Sequence, residues 1–111
     1  MLFRSREKMA RSKMEKRWRL FHKGNPQVER ALFKLANDLR AKGYASYGLP
    51  ALWEVLRYNL ALDVPGFEHK FPNGYKAYYA RLMMAKYPKL EGFFRVRDMH
   101  VNGEPDLRDL I

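Results

Sequence analysis

Apolar residues recur at helical spacing in four stretches of this chain. Phe3, Ala10, Met14, Trp18 and Phe21 follow one another at intervals of seven, four, four and three residues. That pattern predicts a helix over residues 3–23 with a single apolar stripe. Arg4, Arg6, Lys8, Arg11, Lys13, Lys16 and Arg19 fall mostly off the stripe. Gly24-Asn25-Pro26 then punctuates the chain. Asn25 can accept an N–H bond as N-cap, and Pro26 suits a first helical position, where an N–H would go unpaired anyway. Val28, Leu32, Leu35 and Leu39 mark a second helix to about Lys42, with Gly43 placed as a left-handed C-cap. Pro50 starts a third helix with Leu49, Leu52, Trp53, Leu56 and Leu60 on its apolar face, ending before the turn signal Pro65-Gly66. A fourth runs over residues 74–86, with Asn73 as N-cap, Tyr75, Tyr79, Leu82 and Met83 inward, and Pro88 beyond its end.

Three short segments read as extended instead. Tyr44 to Gly48 is aromatic and too brief for a helix. In Phe67 to Phe71, and again in Phe93 to Arg97, apolar and polar residues alternate as in a half-buried strand. Asn102-Gly103 signals a turn, and the acidic tail from Glu104 to Ile111 is open between strand, short helix and loose chain. The fold expected is mainly α with a small β component. It has four helices, arranged as a basic N-terminal helix plus a winged-helix-like core. Residues 1–17 form a basic arm and 18–111 a single domain. The link over residues 63–72 departs from that pattern, since a helix-turn-helix joins its helices with about three or four residues.

Charge sharpens the picture. The 111 residues carry 22 Lys and Arg against 12 Asp and Glu, a formal net charge of +10. The imbalance is uneven: residues 1–23 hold nine basic and two acidic side chains, whereas residues 98–111 hold one basic and four acidic. A clustered excess of cations is the usual footprint of a polyanion partner. The absence of cysteine removes disulfides, thiolate metal sites and cysteine nucleophiles. No apolar run is long enough to span a bilayer, and no apolar h-region follows the first charges, so neither a membrane segment nor a secretory signal is expected. Phosphate-binding and nucleophile-elbow motifs are missing too, and the only serines are Ser5, Ser12 and Ser46. His22, His69 and His100 lack the spacing of helical metal ligands. Asp98, His100, Glu104 and Asp106 could in principle gather round a metal, but turn carboxylates are the commoner explanation. Neither metal nor cofactor is expected.

Certain motifs are familiar as a set. Phe21-His22-x-x-Asn25-Pro26 opens the second helix and Leu52-Trp53-Glu54-Val55-Leu56-Arg57 sits in the third. Tyr78-Tyr79-Ala80-Arg81-Leu82-Met83-Met84, Pro88 and Gly92-Phe93-Phe94-x-x-Arg97 complete them. Across about residues 18–97 the chain resembles a group of small, uncharacterised proteins of bacteriophages and prophages. The shared positions are aromatic and structural, so the resemblance carries over no activity. It implies the cytoplasm of a bacterial host as the setting.

The expected function is non-enzymatic binding of nucleic acid, DNA before RNA. The arm residues from Arg4 to Arg19 would meet phosphates. On the fourth helix, Tyr78 and Arg81 would face outward with Lys76 near the N-terminal end, as on a recognition helix. Arg95 and Arg97 would form a wing. The alternative is a small phage factor that binds and inhibits a host machine such as a defence nuclease, through an apolar patch around Met83, Met84 and Tyr87. A homodimer is open in either case.

Overall fold

A computed structural model describes residues 2–96 and 105–111, with residues 2–12 and Glu68 described as backbone only. Four α-helices carry the fold: α1 Leu2–Gly24, α2 Pro26–Ala41, α3 Leu49–Asp63 and α4 Lys76–Lys86. Single turns of 3-10 helix at Phe67–Lys70, Asn73–Tyr75, Pro88–Leu90 and Arg108–Leu110 connect or finish them.

The helix boundaries follow local chemistry. Pro26 occupies the first turn of α2, and Gly43 ends that helix at φ 103°, a left-handed angle that a side chain would strain. Gly43 N–H donates to Arg40 O (3.0 Å) and Tyr44 N–H to Leu39 O (3.1 Å), the paired bonds of a Schellman motif. Asn25 does not cap with its side chain. Its amide donates back to Phe21 O at 2.9 Å and its Oδ1 accepts from Gln27, so it staples the end of α1 to the start of α2.

The β component and the winged helix are overturned: no residue among those described lies in a strand. Residues 44–48 are exposed, and the loop ties to the chain beyond α4 by one backbone bond, Tyr47 N–H to Phe93 O at 3.2 Å. A sheet ladder needs a repeating series of such bonds. Phe67 and Phe71 are buried but His69 between them is exposed, so the burial interval is four residues and the segment coils as 3-10 helix. Phe93 and Phe94 are both buried, edge to face at 5.2 Å, and consecutive side chains of a strand cannot share one face. The long link over residues 63–72 is held instead by α3. Arg57 donates to Phe71 O (2.9 Å) and to Asn73 Oδ1, and its guanidinium lies 5.6 Å from the Phe71 ring.

At the centre lies α4, buried continuously from Tyr78 to Met83. Trp53 stacks on Phe71 at 4.1 Å, and Trp18 stacks on Tyr78 at 5.2 Å while meeting Tyr79 edge-on at 5.5 Å. The predicted inner faces of α3 and α4 are indeed interior. Of the predicted outer face of α4, Ala85 is exposed and Ala77 half-buried, but Tyr78 and Arg81 are interior, 5% and 8% exposed. The reason is tertiary. Trp18 of α1 covers Tyr78, and the tail lies over Arg81 and Ala85, where Pro105, Leu107 and Ile111 line a shared cleft.

Candidate nucleic-acid interface

Trp18 fixes the rotation of α1. It is fully buried, with Phe21 packed against the core and Met14 against Gly74. The diametrically opposite ridge carries Lys13, Lys16, Leu20 and Lys23, at intervals of three, four and three residues, with Arg17 beside it; all five are exposed. Among the described residues, none of the four cations forms an ion pair. Lys and Arg at such spacing present a row of positive charge along one side of a rigid rod. A helix of this length extends about 35 Å. Lys13 and Lys16 were expected on this surface, and Arg17 and Lys23 belong with them. For Lys23 a helical phase opposite Met14, Trp18 and Phe21 was the signal that could have found it, whereas Arg17, four residues before Phe21, stands at the edge of the ridge. Arg4, Arg6, Lys8 and Arg11 lie on the stretch of α1 described as backbone only.

Arg19 is on the same helix but is committed elsewhere. Its Nε bonds Glu15 at 2.9 Å, its Nη1 bonds Asp109 at 2.7 Å, and its Nη2 donates to Asp106 O at 2.7 Å. Arg19 thus clamps the acidic tail to α1, and its charge is matched before any phosphate arrives.

The two side chains expected to read bases from α4 are not at the surface. Arg81 donates to Ala77 O at 3.1 Å within its own helix and is buried with Tyr78, so neither reaches a groove. Lys76 is half-buried at the start of α4. Arg95 is exposed and lines a groove of about 520 Å³ with Tyr44, Ser46, Tyr47 and Pro50. There it stands apart from the α1 ridge, which contributes nothing to the lining. Arg97 lies outside the described residues, as do Asp98, His100 and Glu104 of the metal candidates; Asp106 is bonded to Arg108 at 2.7 Å. Of the expected apolar patch, Met83 is fully buried, while Met84 and Tyr87 are half-buried; Tyr87 stacks on Phe33 at 4.2 Å and donates its hydroxyl to Glu29.

Behind the ridge, a charged cluster joins α1, α2 and the end of α4. Glu29, 8% exposed, receives Lys86 Nζ at 2.7 Å and the Tyr87 hydroxyl, with His22 Nε2 at 3.5 Å. Burial alone would raise the Glu29 pKa, but the bonds from Lys86 and Tyr87 outweigh it and hold the carboxyl below its ordinary 4.5. Burial lowers His22 below 6.5 despite the nearby carboxylate. Burial and Glu29 together push Tyr87 up to about 12.

The signs give a pH profile. A depressed His22 leaves stability intact above 6.5 and erodes it as pH falls below that value, because the unfolded chain takes up the proton first. Glu29 adds a second loss below 4.5, and Tyr87 a loss as pH rises from 10 towards 12. Urea denaturation at a series of pH values should show the first acid limb vanish in His22→Gln while the second remains. An unchanged first limb would place the titrating group elsewhere.

Compared with protein families, with curated proteins and with solved structures, the chain matches none at a significant level.

Proposed function

We propose that this protein is a non-enzymatic binder of nucleic acid that lays the outward face of α1 along the phosphates of duplex DNA. One observation carries the reading. Lys13, Lys16 and Lys23 are exposed and aligned, Arg17 is exposed beside them, and all four are free of ion pairs among the described residues. Cations in a row displace condensed counterions from a phosphate backbone, and that release drives association. A straight helix fits the wide major groove of B-form DNA and not the deep, narrow one of A-form RNA, which favours DNA. Tyr78 and Arg81 are interior, which argues against α4 as the reader of bases. Contacts confined to phosphates set position without sequence preference.

The test is fluorescence anisotropy of a short labelled duplex and its single strand, titrated with the full chain at several salt concentrations. Duplex binding indifferent to sequence, with log affinity falling linearly in log salt by about 0.9 per phosphate contact, is the expected result. Absence of duplex binding at low salt would overturn the reading. Preference for the single strand, abolished in Tyr47→Ala, would move the interface to the groove beside Arg95.

A further inference from the structure

The helix α3 is apolar on two sides. Leu49, Leu52, Trp53, Leu56 and Leu60 face the core. On the opposite side Ala51, Val55, Tyr58 and Leu62 succeed one another at intervals of four, three and four residues, and all are exposed. Val55 is 46%, Tyr58 65% and Leu62 66% exposed. That spacing is the seam of a two-stranded coiled coil, in which apolar side chains of one helix enter the spaces of another. Isolated exposed apolar residues are ordinary, but a continuous seam over three turns marks a contact.

We propose that this seam is where the protein binds a second copy of itself, with the two α3 helices antiparallel about a two-fold axis. Two features of the seam select that occupant. The first is register. The spacing of four, three and four reads the same in both directions, so antiparallel pairing sets Ala51 against Leu62 of the second copy and Val55 against Tyr58. Each layer then holds one smaller and one larger side chain, which keeps the helices evenly spaced. A parallel pair would oppose Ala51 with Ala51 and Leu62 with Leu62, leaving a gap at one end and crowding at the other.

The second feature is charge. The chain carries 22 Lys and Arg, and two copies at +10 each repel over most of their surfaces. None of those cations stands on the seam. Arg57 is the one basic residue of α3, and it is turned away to Phe71 O and Asn73. Glu54 flanks the seam and, in the antiparallel register, lies beside Ala61 of the second copy rather than beside another carboxylate. Depletion of charge at the centre of a contact is the compositional mark of interfaces. The seam and its flanks would bury on the order of 1,000 Å² in total, near the lower limit for a specific interface, so the dimer is expected to be weak and concentration-dependent.

The cysteine-free chain permits a direct test on the full-length protein. Ala51→Cys and Leu62→Cys are prepared separately, then oxidised alone and as an equimolar mixture. In the antiparallel register, equivalent residues at these positions are about 16 Å apart along the axis, whereas Ala51 and Leu62 meet. The expected result is a disulfide-linked dimer in the mixture containing one of each variant, with little linkage in either alone. Sedimentation equilibrium of the unmodified protein should show mass rising from monomer towards dimer between micromolar and millimolar concentrations. Leu62→Glu, at an exposed position, should remain monomeric with an unchanged helical circular dichroism spectrum. Same-residue linkage in each single variant, or a monomeric mass at every concentration, overturns the proposal. Nucleic acid enters none of these measurements, so their outcome is independent of the proposed function.

Discussion

Replacing Trp18 with alanine should cost about 3–5 kcal/mol, the range for removing a large aromatic from a core that cannot collapse around the space. Trp18 is fully buried, stacks on Tyr78 at 5.2 Å and on His22 at 5.7 Å, and meets Tyr79 edge-on. Among the described side chains of α1 it is the deepest anchor, since Phe21 is only partly buried and Met14 is more exposed. A domain of this size is ordinarily stable by about 5–15 kcal/mol, so the variant should lie near the edge of folding at room temperature. Urea titration followed by far-ultraviolet circular dichroism measures the loss. A cost under about 1 kcal/mol would mean that α1 does not dock through Trp18, and the outward ridge would then have no fixed orientation.

Reversing the ridge should have the largest effect on binding. The combined substitution Lys13→Glu, Lys16→Glu, Arg17→Glu and Lys23→Glu removes four candidate partners of phosphate and adds four repulsive charges. Duplex affinity near physiological salt should fall by at least about a hundredfold, and the salt slope should flatten by about 0.9 for each phosphate no longer neutralised. All four positions are exposed, so thermal stability should change little. The matched control is Arg81→Met. It alters a buried residue of α4 and should lower stability while leaving the salt slope as it was. A slope abolished by Arg81→Met and kept in the ridge variant would return the phosphate contacts to α4.

Not every basic residue of α1 is equivalent, and the structure shows why composition misleads. Arg19 has the same charge and helix as Lys16, yet it is neutralised by Glu15 and Asp109. The acidic tail therefore has a definite role: through Arg19 it pins residues 105–111 across the chain, where Leu107 becomes buried. A tally of basic residues assigns Arg19 to the interface. The pairing that removes it joins residues 90 apart in sequence.

What the sequence determined by itself was the four helices and most of their core faces. Apolar spacing near 3.6 residues, with Pro26, Gly43, Pro50 and Pro88 as punctuation, is local information, and the structure keeps it within a residue or two. Only the tertiary structure decided the rest. A strand exists when another strand supplies its hydrogen bonds, and residues 44–48, 67–71 and 93–96 find no such partner among the described residues. One apolar stripe shows that a helix has an inside, but not whether its other side is free. Neighbouring elements settled that, as α1 and the tail closed over Tyr78 and Arg81 of α4 while the outer seam of α3 stayed exposed. The distinction is physical: helical hydrogen bonds close within four residues, whereas burial is set by whatever distant part of the chain packs alongside.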